Sequence, residues 1–165
     1  MSPRITVLRA DITTVEVDAV VTAANRRLVG GSGVNGAVHA AAGPRLLEAS
    51  RALGPCPPGS AVVTPAFDLR TARWVVHAVG PRYRGPEDAA VLASAYTSAL
   101  ARADEVGARS IAFPSISTGA YGYPDAEAAH VSVAALQQAR TSVERILLVA
   151  FSRRTEQLWA AELAR

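Results

Sequence analysis

Lysine is absent from this chain: all 17 basic residues are arginine. That excludes Schiff-base chemistry and a Walker-type phosphate loop, both of which use a lysine ammonium. Cysteine occurs once, as Cys56 in "GPCPPGS", so there is no disulfide framework and no cysteine-based metal cluster. We read Cys56 as an incidental loop thiol. With one Cys and three scattered His, no metal is expected, nor any cofactor. The opening stretch "MSPRITVLRAD" lacks a long apolar run, so we expect neither a signal peptide nor a membrane span, and a cytoplasmic location. A strong charge of one sign is missing too. The 17 Arg face 14 acidic residues for a formal net charge of +3, and they stand singly or in pairs such as Arg26 and Arg27 or Arg153 and Arg154. Scattered Arg argue for a solvated surface rather than a nucleic-acid stripe.

What is present is a chain of 165 residues, half of them hydrophobic, enough for one domain over 1–165 with its own core, expected as a monomer. Runs rich in Val and Ile at 4–9, 18–23, 60–66, 73–79, 109–114 and 144–150 read as strands. Several are too continuously apolar to face water on one side. Helical patterns lie between them: 35–53 with a break at Gly43 and Pro44, then 86–106, 124–140 and 152–164. Alternating strands and helices imply an α/β domain with a mixed sheet covered on both faces.

Ligands of such sheets bind beyond the carboxyl ends of the strands. Two loops there are glycine-rich and run into helices: "GGSGVNGAVHAAAG" from residue 30 and "SISTGAYGYP" from residue 115. Each glycine gives up more backbone freedom than other residues on folding, so such density implies a close backbone approach to something. Free N–H groups at a helix start favour an anion. Two such loops suggest a diphosphate held from both sides.

The ordered set "ADITTVEVDAVVTAANRRLVGGSGVNGAVHAAAGPRLL", "VVHAVGP" and "FPSISTGAYGYP" resembles the macrodomain family, and within it the MacroD-type ADP-ribosyl hydrolases. The resemblance covers about residues 4–151 and implies a three-layer α/β/α sandwich around a six-stranded mixed sheet. It tells against a dehydrogenase, because "GSGVNG" follows the second strand without a downstream ribose acid. It implies that Asp11, with the Ile12 backbone, clamps adenine, and that Phe151 packs on the adenine face. Gly31, Ser32, Gly33, Val34, Asn35 and Gly36, with Ser117, Thr118, Gly119, Ala120, Tyr121 and Gly122, would wrap the diphosphate and distal ribose. Asn25 would orient that ribose, and Tyr121 would close over it. Plainer roles stand beside these: a cap for Asp11, a cap for Asn25, core packing for Phe151, a surface turn for Tyr121. We assign His39 and His77 to structure.

Four positions depart from the commonest family pattern: Ala10 for Gly, Thr22 for the first Asn of "NAAN", Ser32 for Gly and Asn35 for Asp. Ala10 fits if its φ is negative, and Ser32 if its backbone leaves the left-handed region. Asn35 cannot take a proton at neutral pH, so it is no general base, though it can hold water. The resemblance therefore implies ADP-ribose and ADP-ribosylated proteins as partners. The implied reaction is hydrolysis of mono-ADP-ribosyl esters on acidic side chains, with O-acetyl-ADP-ribose as a further substrate and Asn25 and Asn35 in the catalytic site. A non-catalytic ADP-ribose reader and an ADP-ribose 1″-phosphate phosphatase are the alternatives.

Overall fold

In this computed structural model, which describes residues 2–165, all six apolar runs are strands. They are β1 (Arg4–Arg9), β2 (Ala19–Ala24), β3 (Ala61–Pro65), β4 (Trp74–Val79), β5 (Ser110–Phe113) and β6 (Arg145–Ala150). The helices are α1 (Gly33–Ala42), α2 (Pro44–Leu53), α3 (Asp88–Glu105), α4 (Asp125–Gln138) and α5 (Arg153–Leu163), with a 3₁₀ turn at Ile12–Thr14. The expected break between α1 and α2 has two causes. Gly43 sits at φ +83°, and Pro44 takes the first helical position, where its missing N–H costs nothing.

The sheet order is β1-β6-β5-β2-β4-β3, parallel throughout except for β3, which pairs antiparallel with β4. Successive strand residues face opposite sides of a sheet. Val21, Val76, Ile111 and Leu148 therefore join α3, α4 and α5 in one core, which holds Leu100, Val133 and Trp159. Val20, Val75, Ala112 and Val149 join α1 and α2 in the other, around Val38, Ala42 and Leu46. The result is the α/β/α sandwich with a six-stranded mixed sheet.

Two features of this sheet create the site. The chain leaves β2 for a helix on one face and leaves β5 for a helix on the other, so a topological switch point lies between them. The two strands also part company: only Ala19 pairs with Ile111 and Val20 with Ala112, while β2 continues to Ala24. A crevice opens where the pairing stops.

His77, on β4, is fully buried, with its Nε2 3.0 Å from the Thr64 hydroxyl oxygen on β3. Burial, and to a lesser degree His39, depress its pKa to about 3. The folded protein thus holds a neutral imidazole that the unfolded chain would protonate below about pH 6.5. This stability is complete above that pH and is lost as pH falls toward 3, at about 1.4 kcal/mol per unit. We expect His77→Gln to flatten the acid limb between pH 6 and 4, measured by urea unfolding across that range. Parallel limbs for the two proteins would contradict it.

Candidate functional site

The crevice is a cleft of about 720 Å³, within the range of small-molecule sites. It runs from the ends of β1 and β6 across to the ends of β2 and β5. At the first end Asp11 follows β1 and Phe151 follows β6, neighbours because Arg9 and Ala150 are in register. Asp11 Oδ1 accepts from the Thr13 amide at 2.9 Å and the Thr13 hydroxyl at 2.7 Å, capping the 3₁₀ turn. Those bonds, the hydroxyl's first, hold its carboxyl below the usual range. Oδ2 takes no protein hydrogen bond among the described residues, so capping leaves an acceptor over for a ligand. Phe151 is 86% exposed at the cleft edge, which rules out core packing. Ile12 is buried beside Asp11 and lines the cleft.

At the second end, Gly31, Ser32, Gly33, Val34 and Asn35 form one wall, and Ser117, Thr118, Gly119, Ala120 and Tyr121 the other. Ser32 caps α1 with an extended backbone, φ −105°, so its replacement of glycine is unstrained there. Its side chain caps nothing, and the N–H groups of the first turn stay free for a ligand. Ala10 is not among the residues with positive φ, so it too fits. In the second loop, Ser117 stands at φ +71° with its buried Oγ unbonded.

Two expected positions do not line the cleft. Gly36 lies behind the first loop: a Cβ there would sit 2.5 Å from the Gly31 carbonyl oxygen, so glycine is needed for packing rather than ligand contact. Gly122, at φ +73°, closes the second loop through its N–H bond to the Gly119 carbonyl at 3.0 Å. Both shape the loops from outside the lining.

Asn25 and Asn35 converge on one backbone group. Asn25 Nδ2 donates to the Val29 carbonyl at 2.9 Å, and the Val29 amide donates to Asn25 Oδ1 at 3.1 Å. Asn35 Nδ2 donates to the same carbonyl at 3.2 Å, while Asn35 Oδ1 accepts from the buried Thr22 hydroxyl at 3.1 Å. Thus the two residues that replace the family's Asn and Asp bond to each other. Asn35 is 5% exposed, with both polar atoms engaged by protein, so it anchors the loop from beneath. Asn25 lines the cleft and retains a second N–H and a second lone pair beyond these bonds.

Several contributors are invisible in the residue runs. The buried Tyr96 of α3 accepts at its hydroxyl from the Ile116 amide at 3.0 Å and bonds the Pro114 carbonyl at 3.3 Å, fixing the entry to the second loop. Burial pushes this phenol's pKa up, which keeps it a donor. Gly80 has no room for a Cβ beside Ser117 and Ile116. Arg82 lies 4.7 Å over the Tyr121 ring, and the Tyr83 amide donates to the Tyr121 carbonyl at 2.9 Å. Tyr121 is therefore a held aromatic rather than a loose turn residue. Asp125, Ser152 and Thr155 complete parts of the lining that the motifs did not cover. His39 and His77 are not among the lining residues.

If Asp11 Oδ2 meets an adenine amine, Asp11→Ala should weaken ADP-ribose binding by about 1.5–3 kcal/mol, the range for a hydrogen bond to a charged group. The hypoxanthine analogue, which lacks that amine, should already bind weakly and lose little more from the substitution. Calorimetry on the four combinations decides it, and additive losses would separate Asp11 from the base.

Comparison with known proteins bears on the family and the fold. A family profile described as Macro domain matches residues 21–132. An O-acetyl-ADP-ribose deacetylase of Citrobacter rodentium is 49% identical, over 96% of this chain and 94% of that protein. A Macro domain-containing protein of Ralstonia nicotianae is 50% identical, over 88% and 85%. Among solved structures, a mutant Oceanobacillus iheyensis macrodomain with ADPR superposes with a TM-score of 0.91 at 35% identity, covering 99% of this chain and 93% of that one. A Trypanosoma brucei macrodomain in complex with ADP-ribose gives 0.88 at 32%, covering 96% and 68%. With the profile spanning more than half the chain and the fold shared along its length, this protein belongs to the macrodomain family.

Proposed function

We propose that the cleft binds ADP-ribose and that the protein hydrolyses ADP-ribosyl esters: O-acetyl-ADP-ribose, and mono-ADP-ribose on acidic side chains of proteins. One observation carries this reading. The cleft joins two glycine-rich loops, one of them opening on the free N–H groups of the first turn of α1, at a switch point to an exposed aromatic and a free carboxylate oxygen at its far end. Adenine lies on Phe151 and donates to Asp11, the two loops grip the diphosphate, and Tyr121 closes over the distal ribose. Asn25 directs its spare amide hydrogen to that ribose and orients the reacting carbon. Preorganised N–H donors stabilise charge that builds up as the ester bond breaks. The water is activated by the substrate's own diphosphate oxygens, because Asn35 offers no base.

The engagement of both Asn35 polar atoms favours a second reading, a module that binds ADP-ribose without turning it over. Incubation with a Glu-linked mono-ADP-ribosylated protein and, separately, with O-acetyl-ADP-ribose distinguishes the two. Release of ADP-ribose above buffer supports the hydrolase. Clear binding with no release from either substrate leaves the reader.

A further inference from the structure

Among the described residues, the charged side chains that line the cleft are two carboxylates, Asp11 and Asp125. No arginine lines it, so the phosphate end relies on backbone N–H groups. Asp125 opens α4 directly after the second loop, and its Oδ2 accepts from Arg154 Nε, on the first turn of α5, at 3.1 Å. It therefore stands between that loop and the segment Phe151–Ser152 that follows β6. Asp125 thus links the second loop to the helix that follows Phe151, a place that suits the ribose between base and diphosphate in the ligand of the preceding reading, on which this inference rests.

We propose that Asp125 is the specificity determinant for the adenosine ribose: Oδ1 accepts from its 2′-hydroxyl, and the carboxylate charge excludes ligands phosphorylated at that position. Three features converge on this. Arg154 engages only Oδ2, which leaves Oδ1 free. The side chain is 37% exposed, enough to reach a ligand yet shielded enough for its charge to be felt. Pairing with Asp125 also holds the guanidinium of Arg154, which is not a lining residue, through its Nε at 3.1 Å. A ribose with a free hydroxyl finds an acceptor, and a phosphate finds Asp11 and Asp125 with no free cation in the lining.

Calorimetric titration with ADP-ribose and with its 2′-phosphate tests the assignment. The native protein should prefer ADP-ribose by about 30-fold or more, a discrimination built on like-charge repulsion. Asp125→Asn keeps shape and acceptor but removes the charge, so ADP-ribose affinity should change little while the preference narrows about tenfold. Arg154→Gln leaves the carboxylate uncompensated and should widen the preference. Glu144→Gln, in an exposed pair with Arg109 at the other end of the sheet, should leave it unchanged. Equal native affinities, or an unchanged ratio in Asp125→Asn, overturn the role of Asp125 while ADP-ribose binding stands. Failure of the native protein to bind ADP-ribose at all overturns the underlying reading and this assignment with it.

Discussion

Gly36→Ala should lower ADP-ribose affinity by about 10–100-fold, as expected when overpacking of about 1–3 kcal/mol falls on one loop. The added methyl would meet the Gly31 carbonyl oxygen at 2.5 Å, a backbone atom that cannot rotate away as a side chain could. Gly36 also donates its N–H to the Ser32 carbonyl at 3.2 Å, so α1 and the loop move together or not at all. The cheapest relief is displacement of Gly31, which lines the cleft. Gly30→Ala is the matched control: a Cβ there meets nothing within 4 Å, and the residue lies outside the lining. Titration of both variants should show the loss in Gly36→Ala alone. Equal affinities would mean that the loop geometry does not set binding.

The paired amides give the second large effect. Asn25→Ala removes both bonds that close the turn at Val29, as well as the donor that the proposed reading directs to the distal ribose. Turnover should fall by about 10²-fold or more, with a smaller loss of affinity, because orientation of the reacting sugar counts most in the transition state. Asn35→Ala should cost stability more than rate. It leaves the buried Thr22 hydroxyl without its acceptor, at about 1–3 kcal/mol, while Asn25 still holds Val29. Asn35→Asp sets a carboxylate oxygen against the Val29 carbonyl, where an amide now donates at 3.2 Å. It also adds negative charge near the diphosphate, so KM should rise, more so at low salt. Any gain is confined to kcat. Adding Thr22→Asn restores the commoner family pair and supplies an amide donor to that carboxylate, so the double variant should recover stability lost by the single one. Single-turnover rates at two ionic strengths, with unfolding curves, resolve these terms. A double variant no more stable than Asn35→Asp would mean that positions 22 and 35 act independently.

The apolar runs match every strand, because strands of a sheet covered on both faces are rich in Val and Ile. The glycine loops were equally legible, since only a backbone-shaped site needs so many. Strand order was not. The parting of β2 from β5, which opens the cleft, depends on pairing between residues some 90 positions apart and leaves no local trace. Asp125 read as an ordinary helix-opening acid, and it is one. Its place in the cleft follows from where α5 begins. Tyr96 and Arg82 act through tertiary contact with Ile116 and Tyr121, which no spacing encodes. Phe151 was open to two readings until its exposure decided between them.

The central claim is that one cleft holds both halves of ADP-ribose, base at Asp11 and Phe151, diphosphate and distal sugar between the loops. Calorimetric titration of the native protein with ADP-ribose and with AMP tests it most directly. AMP reaches only the first half, so ADP-ribose should bind about 100-fold more tightly, a difference of about 2.7 kcal/mol. Equal affinities for the two nucleotides would contradict the account, because the glycine loops would then contribute nothing to recognition.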